Sequence, residues 1–240
     1  MTVPEHAADC GNLLLSRLPE DEYQRIRPHL EWMPCPFKSS FYHRGQPIEF
    51  VHFPLGGEHS VLAIMENGTA IEVGTVGFEG FSTIEALSGG REALETVTCQ
   101  IPGEALRMRL APFLAAIEGK TALRDLAFRY LYAYLAQVSQ AVACNRLHTT
   151  EERFAKWLLM CHDRVPADDI AITQEFLADM LGVHRPSVSL IARGFQQLGL
   201  IRYSRGLVVI LDRPGLEEAS CECYATVRAR FEQVMGIAMA

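Results

Sequence analysis

The stretch "ITQEFLADMLGVHRPSVSLIARGFQQLGLI", Ile172–Ile201, has the pattern of two short helices joined at a glycine. Thr173 can cap the first helix, Gly182 permits a sharp turn, and Pro186 fits the first turn of the second helix. In each helix, apolar residues recur at steps of three and four and would form a buried face. The stretch therefore predicts a helix-turn-helix. The residues of the two faces are Leu177, Ala178 and Leu181, then Val188, Ile191 and Phe195.

The outer face of this predicted unit carries arginine and no acid. From Met180 to Leu211 the chain has four arginines and not one Asp, Glu or Lys, although its formal net charge is -7. Arg185 lies in the first turn of the second helix, the part of a recognition helix that meets base edges, and it could donate two hydrogen bonds to guanine. The alternative for a single arginine is a solvated surface charge, but the absence of acids favours contact with DNA.

The next segment, "LGLIRYSRGLVVILD", has the pattern of two short strands around a turn at Ser204-Arg205-Gly206. Such a β-wing would place Arg202 and Arg205 near phosphates, and phosphate contacts fix the register on DNA without reading its sequence. The two segments together predict a winged helix-turn-helix. The tail that follows predicts a last helix packed on the same domain, because apolar residues recur at Leu216, Cys223, Val227 and Phe231.

The segment from Pro34 to Arg109 has short alternating apolar runs separated by glycine-containing turns. This regular punctuation predicts a small antiparallel β-roll, similar to a double-stranded β-helix or jelly roll. The clearest hairpin surrounds Asn67-Gly68, where we expect a tight two-residue turn with positive φ.

A long helical segment follows Leu110. In it, apolar residues recur at alternating steps of three and four, a 3.5-residue repeat that keeps a seam facing a partner helix. We expect a homodimer through this seam; the alternative is a core helix that lies on its own roll. The seam residues are Phe128, Leu131, Leu135, Val138 and Val142.

The predicted fold class is α+β with three parts. They are a β-roll sensor domain at residues 1–120, a dimerisation helix at 121–147, and a C-terminal winged helix-turn-helix domain with its last helix at 148–240. A chain of 240 residues, 49% of them hydrophobic, can form two cores. The start lacks a secretory pattern and no apolar run approaches the ~18 residues of a membrane span, so we expect a cytoplasmic protein without a membrane partner.

The seven cysteines are scattered and odd in number, which indicates reduced thiols rather than a disulfide framework. Cys221 and Cys223 form a close pair, but their spacing is too tight for a usual zinc knuckle and no second pair completes four ligands. His43, His52 and His59 could indicate a metal or haem, yet they lack the tight histidine pair and downstream glutamate of a cupin enzyme. The sequence thus predicts no metal, no cofactor and no catalytic residue.

The order of these parts resembles the cyclic-AMP receptor/fumarate–nitrate regulator (Crp/Fnr) superfamily of bacterial transcription factors. The resemblance covers residues 12–213; it is strongest over the stretch quoted first and moderate over "VGFEGF" and "PGEALRM" in the roll. In that superfamily, the residue matching Arg185 contacts guanine. Pro186 is a departure, because many members carry a base-reading glutamate there, so their half-site is not assumed for this chain.

The resemblance also indicates where an effector would bind. Cyclic-nucleotide-binding members hold the phosphate with a glycine-glutamate turn and an Arg-Ser pair on the following strand. This chain has the turn at Gly77-Phe78-Glu79-Gly80, but "ALETV", residues 93–97, has no cation, and a buried phosphodiester needs one. Arg91 could substitute only if its loop folds inward. We therefore expect an unidentified small-molecule effector rather than a cyclic nucleotide, in a pocket of Gly77, Glu79, Gly80 and Arg91.

The sequence as a whole predicts a homodimeric, sequence-specific transcription regulator that acts on a two-fold-related operator and is not an enzyme. The resemblance implies RNA polymerase as a partner beside double-stranded DNA, and it places Ser187 at a backbone or base contact and Thr173 and Gln174 near phosphates. The alternatives are a ligand-binding or interaction protein whose helix-turn-helix no longer binds DNA, and a metal-dependent small-barrel enzyme. The predicted DNA-contacting residues are Thr173, Gln174, His184, Arg185, Ser187, Ser189, Arg193, Arg202, Ser204 and Arg205.

Overall fold

The computed structural model describes residues 2–165 and 168–236, so positions 1, 166–167 and 237–240 of the predicted domains lie outside the described residues. The N-terminal part is an antiparallel sheet in the order β1-β5-β3-β4, with β2 also paired to β5. This arrangement confirms the predicted α+β class with an antiparallel N-terminal sheet. Its elements are α1 (Glu20–Ile26), β1 (Leu30–Cys35), β2 (Ser40–Tyr42), β3 (Phe50–Ile64), β4 (Ala70–Val76) and β5 (Thr96–Arg109).

The β3–β4 hairpin forms around Asn67-Gly68, but its loop has three residues instead of the two that we expected. The Met65 N–H donates to the Thr69 carbonyl (2.8 Å), and the Gly68 N–H donates to the Met65 carbonyl (2.9 Å). Gly68 has a φ of +83°, whereas Asn67 has a negative φ. A type I turn followed by one left-handed residue has this geometry, and glycine is the residue that adopts it without strain.

Two helices connect the roll to the C-terminal domain: α2 (Leu110–Ala116) and the long α3 (Ala122–Leu147). The side chain of Thr121 caps α3 by accepting a hydrogen bond from the Arg124 N–H. The predicted dimerisation helix at 121–147 thus corresponds to the N-cap residue and the whole of α3.

One face of α3 packs tightly on the roll. Tyr130 and Tyr134 are buried in this contact. The ring of Tyr130 lies where a Cβ of residue 80 would stand, so Gly80 lets the helix and the roll approach closely. The alternative of a helix lying on its own roll is therefore correct for this face of α3.

The C-terminal domain begins with a complete helix cap. Thr149 accepts a hydrogen bond from the Glu152 N–H, and the Glu152 carboxylate accepts one from the Thr149 N–H. The domain also has a three-stranded antiparallel sheet in the order β6-β8-β7. Its elements are α4 (Thr150–His162), β6 (Asp169–Ala171), α5 (Gln174–Leu181), α6 (Arg185–Gln197), β7 (Ile201–Ser204), β8 (Leu207–Ile210), α7 (Arg213–Ala219) and α8 (Cys223–Met235). Among the helices described, none is both long enough and apolar enough to cross a membrane.

The last helix, α8, connects the two hydrophobic cores. Val227, Phe231 and Met235 belong to the core of the roll and α3, where the Phe231 ring lies 6.2 Å from that of Tyr130. Tyr224, at the start of α8, belongs to the core of the C-terminal domain. The prediction that the last helix packs on the DNA-binding domain is therefore corrected, because most of its apolar face lies along α3.

Candidate nucleic-acid interface

The helix-turn-helix consists of α5 and α6, joined at Gly182, whose φ is +64°. The Thr173 side chain caps α5 by accepting a hydrogen bond from the Phe176 N–H (3.2 Å). All six residues predicted for the two apolar faces are buried in the second core. This packing determines which face of α6 remains outside.

The exposed face of α6 begins with Arg185, Pro186 and Ser187, and Arg193 follows about two turns later. His184, the residue before the helix, is also exposed. Each of the side chains from His184 to Ser187 is accessible from solvent at the N-terminal half of the helix, which is the half that meets base edges in helix-turn-helix proteins.

Two of the predicted contact residues instead bind each other. The Ser189 hydroxyl lies 2.6 Å from Oε1 of Gln174 and 3.2 Å from the Arg185 carbonyl. Both side chains are half-buried. This contact connects the start of α5 to the first turn of α6, where it reaches the backbone carbonyl of Arg185.

The wing is a two-residue hairpin. Ser204 pairs with Leu207, which leaves Arg205 and Gly206 in the turn with φ values of +51° and +79°. Two consecutive positive φ values define the type I′ turn, whose twist matches that of paired strands. Arg205 is exposed at the tip, and Arg202 and Ser204 are exposed on β7.

Four predicted residues line one shallow cleft between α5, α6 and the wing, together with Tyr203 and Gly206. The Tyr203 hydroxyl donates to the Ile172 carbonyl (2.8 Å). Burial raises the pKa of Tyr203 to about 12, although the nearby Arg185 acts in the opposite direction. Sequence reasoning missed Tyr203. Its place between Arg202 and Ser204, two predicted contact residues of the wing, was the signal that could have found it. The four predicted residues in the cleft are Thr173, Gln174, Arg185 and Arg205.

The predicted dimer seam lies on the side of α3 that faces away from the roll. Phe128, Leu135 and Val142 are 40%, 52% and 70% exposed. Leu131 and Val138 are half-buried at its edge. Tyr132, which we did not assign to the seam, is 58% exposed and extends the same apolar surface.

The structure does not form the predicted effector pocket. The Glu79 carboxylate is fully buried and binds Arg164, with Nη2 at 2.6 Å from Oε1. Nη1 of Arg164 binds Oε1 of Glu58 at 2.8 Å. Arg164 also occupies the space beside Gly77, while Tyr130 fills that beside Gly80. Glu79 therefore has its cationic partner outside the roll, at the residue two positions after α4.

Burial and opposite charge have competing effects within this cluster. Burial alone would lower the pKa of Arg164, but Glu79 and Glu58 outweigh it and raise that pKa. Burial raises the pKa of Glu58, and Arg164 offsets part of this effect. Arg91 takes no part in the cluster; it is exposed in the loop before β5.

Among the described residues, the three histidines of the roll are not brought together as one set of possible metal ligands. His43 is exposed on a loop, whereas His52 and His59 are buried. Burial lowers the pKa of His52 to about 3 and that of His59 well below its usual value, so both rings are neutral. His59 packs against Phe41, with ring centroids 3.9 Å apart. His52 and His59 therefore pack as neutral aromatic side chains inside the roll, and His43 lies apart from them on the surface.

Comparison with known proteins gives a consistent result for the C-terminal domain and for the fold. Residues 152–219 match the family model described as the Crp-like helix-turn-helix domain. No curated protein matches the chain.

Solved structures of bacterial regulators have the same fold. FixK2 from Bradyrhizobium japonicum is 15% identical with a TM-score of 0.69, over 80% of this chain and 98% of that one. A CRP-family transcriptional regulator from Thermus thermophilus is 20% identical with a TM-score of 0.64, over 88% and 98%. A CRP/FNR-family regulator from the same organism is 20% identical with a TM-score of 0.64, over 79% and 98%. At sequence identities this low, the matches establish a similar fold and nothing further.

Proposed function

We propose that this chain is a transcription regulator of the Crp/Fnr type and binds double-stranded DNA as a homodimer at a two-fold-related operator. The proposal rests on the Crp-like helix-turn-helix of the C-terminal domain. It also rests on the fold, in which this domain is joined to a roll and a long helix as in the solved regulator structures. Such a protein is a regulator and not an enzyme.

The observation that carries the proposal is the exposed first turn of α6. Arg185 is exposed there, next to Ser187, on a segment from Met180 to Leu211 without any acid. The cleft beside it is lined by Arg205 of the wing and by Thr173 at the start of α5. A helix in the major groove would bring Arg185 to a base edge, while Arg205 and the N-terminus of α5 would face phosphates.

The exposed side of α3 supports the homodimer. Phe128, Leu135 and Val142 lie along one side of the helix and are exposed in the single chain. Pairing two such helices would remove this apolar surface from water and place the two α6 helices on opposite sides of a two-fold axis. On B-DNA, two recognition helices related in this way enter major grooves about one helical turn apart.

The proposal also includes regulation by an effector and contact with RNA polymerase, both of which rest on the family resemblance. An effector at the Gly77–Gly80 turn would have to displace Arg164 from Glu79, because those groups now fill that space. Such displacement would weaken the contact between the roll and the C-terminal domain. Since its operator would be chromosomal, we expect the protein to act in the cytoplasm.

Arg185→Ala is expected to weaken binding to a preferred operator by ~1–3 kcal/mol and to reduce discrimination at one base pair of each half-site, because a guanine-reading arginine is lost. Arg205→Ala is the matched control from the wing. It should weaken binding to all sequences alike and reduce the slope of log affinity against log salt by about one for each lost phosphate contact. The measurement is fluorescence anisotropy on operator and scrambled duplexes. An unchanged base preference in Arg185→Ala would show that another residue reads the DNA.

The proposal is tested against its main alternative, an interaction protein whose helix-turn-helix does not bind DNA, by titrating salt. A dimer that contacts about 6–10 phosphates should lose about 10³-fold or more in affinity between roughly 50 and 200 mM salt. Binding of the purified chain to pooled genomic fragments is measured with and without cell extract, so that a missing effector is supplied. No binding at low salt under either condition would favour the alternative.

A further inference from the structure

A cluster of three cysteines and one histidine lies where the end of α3 meets the start of α8. Cys144 and His148 are one helical turn apart at the end of α3, and Cys221 and Cys223 lie at the start of α8. The possible ligand atoms of these four residues all lie within 4.8 Å of one another. The three thiols are buried and form a cluster separate from the two large hydrophobic cores.

The spacing of the four side chains is that of ligands around one ion. Sγ of Cys144 lies 3.6 Å from Sγ of Cys221, and Nδ1 of His148 lies 3.4 Å from Sγ of Cys223. A disulfide would bring two sulfurs to about 2.05 Å. A tetrahedral zinc ion with Zn–S bonds of about 2.3 Å separates two sulfur ligands by about 3.8 Å. An iron–sulfur cluster places several bonds between its protein ligands and would hold them further apart.

Two neighbouring side chains orient these candidate ligands. Nε2 of His148 lies 3.1 Å from a carboxylate oxygen of Glu222, which favours the proton on Nε2 and leaves the lone pair of Nδ1 directed to the cluster. Nε2 of Gln140 donates a hydrogen bond to Sγ of Cys223 at 3.1 Å. A carboxylate behind the histidine and an N–H donor to the thiolate are the usual outer contacts of a protein metal site.

The charges around the cluster also favour a bound cation with thiolate ligands. Lys156 interacts electrostatically with Cys144. Arg153 interacts electrostatically with Cys144 and Cys221. Three thiolates, a neutral histidine and a divalent ion carry one negative charge, which these two basic side chains would offset. The thiol protons would be released when the ion binds.

We propose that Cys144, His148, Cys221 and Cys223 bind one zinc ion that joins the end of the dimerisation helix to the start of the last helix. Three sulfurs and one imidazole are a ligand set that selects zinc among the common divalent ions. Four protein ligands leave no open coordination position, so the site is structural. Sequence analysis assigned no zinc site to Cys221 and Cys223, because no second pair of ligands was visible. The fold supplies that second pair from the end of α3.

The ion would stabilise the joint between the two halves of the chain. Between Leu147 and Thr150 the backbone leaves α3 and enters α4, which begins the C-terminal domain. A zinc ion shared by α3 and α8 would therefore close a second connection beside this joint. This inference is independent of DNA binding, since none of its ligands belongs to the proposed DNA-contacting surface.

The test uses the reduced full-length chain, loaded with Zn²⁺ or Co²⁺ and dialysed. We expect about one ion per chain by elemental analysis and, with Co²⁺, the intense visible absorption of a tetrahedral thiolate site. Cys223→Ser and His148→Ala should lose this absorption, whereas Cys10→Ser, which alters a buried cysteine of the other core, should keep it. Glu222→Ala, which keeps all four ligands, should bind zinc about 10–100-fold more weakly.

Thermal unfolding provides a second readout, in which the wild-type chain with and without a chelator is the main comparison. Removing zinc with a chelator should lower the Tm of the wild-type chain and of Cys10→Ser, because the ion binds only the folded state. The same chelator should leave the Tm of His148→Ala unchanged. Failure of the wild-type chain to retain zinc or cobalt would overturn the proposal. So would retention of the metal by Cys223→Ser and His148→Ala at the level of the wild-type chain. A Cys144–Cys221 disulfide in protein prepared without oxygen would also overturn it.

Discussion

Replacing Arg164 with methionine is expected to lower the free energy of unfolding by about 3–5 kcal/mol, because it leaves two buried carboxylates without a cation. Glu58 and Glu79 are both fully buried and both bind this guanidinium. Methionine fills a similar volume, so the loss would come from uncompensated charge rather than from a cavity. The measurement is denaturant unfolding at neutral pH, followed by a probe in each domain.

Two control variants separate charge from packing at this position. Arg91→Met removes an exposed arginine of the roll and should change stability by less than about 0.5 kcal/mol. The triple variant Arg164→Met, Glu58→Gln, Glu79→Gln should recover most of the lost stability, because it removes the carboxylates together with their cation. If Arg164→Met alone unfolds like the wild-type chain, the buried ion pair does not hold the roll against the C-terminal domain.

Placing a charge in the seam of α3 is expected to dissociate the dimer. Leu135 lies at the middle of the exposed apolar side and is 52% exposed in the single chain. In Leu135→Glu, two-fold pairing would bury a carboxylate from each chain without a partner, at a cost of several kcal/mol. We therefore expect the dimer dissociation constant to rise by about 100-fold or more, since every 1.4 kcal/mol is a factor of ten.

Sedimentation velocity over a range of concentrations measures this effect. Leu94→Glu is the matched control, because Leu94 is 67% exposed but belongs to the roll and not to the seam of α3. It should sediment as the wild-type chain does, and affinity for DNA should fall in Leu135→Glu alone. A wild-type chain that is monomeric at tens of micromolar would exclude this seam as the dimer interface.

The helix-turn-helix was predictable because its determinants are local. The capping Thr173, the turn at Gly182 and the buried faces of α5 and α6 are all recorded in one stretch of sequence, with steps of three and four. The turn at Ser204-Arg205-Gly206 was equally visible between two apolar runs, although its type I′ geometry was not predicted. The strand β6 was missed because three residues, Asp169–Ala171, are too few to show an alternation.

The remaining features depend on contacts between distant segments, which periodicity does not record. Arg164 reaches Glu58 and Glu79 from the other domain, and nothing near it in sequence indicates that it is buried. Docking of α8 on α3 depends on Phe231 meeting Tyr130, about a hundred residues apart along the chain. The four proposed zinc ligands consist of a Cys-x-x-x-His pair and a Cys-x-Cys pair, each too weak a signal until the fold joins them.

The most direct test of the account is to sequence the genomic DNA fragments that the purified chain retains. We expect the retained fragments to contain a motif of two inverted half-sites whose centres lie about 10 base pairs, or one helical turn, apart. Arg185→Ala should lose the preference at one base pair in each half-site of that motif while still retaining fragments at low salt. Retained fragments with no shared motif, or the same motif retained by Arg185→Ala, would contradict sequence-specific binding through α6.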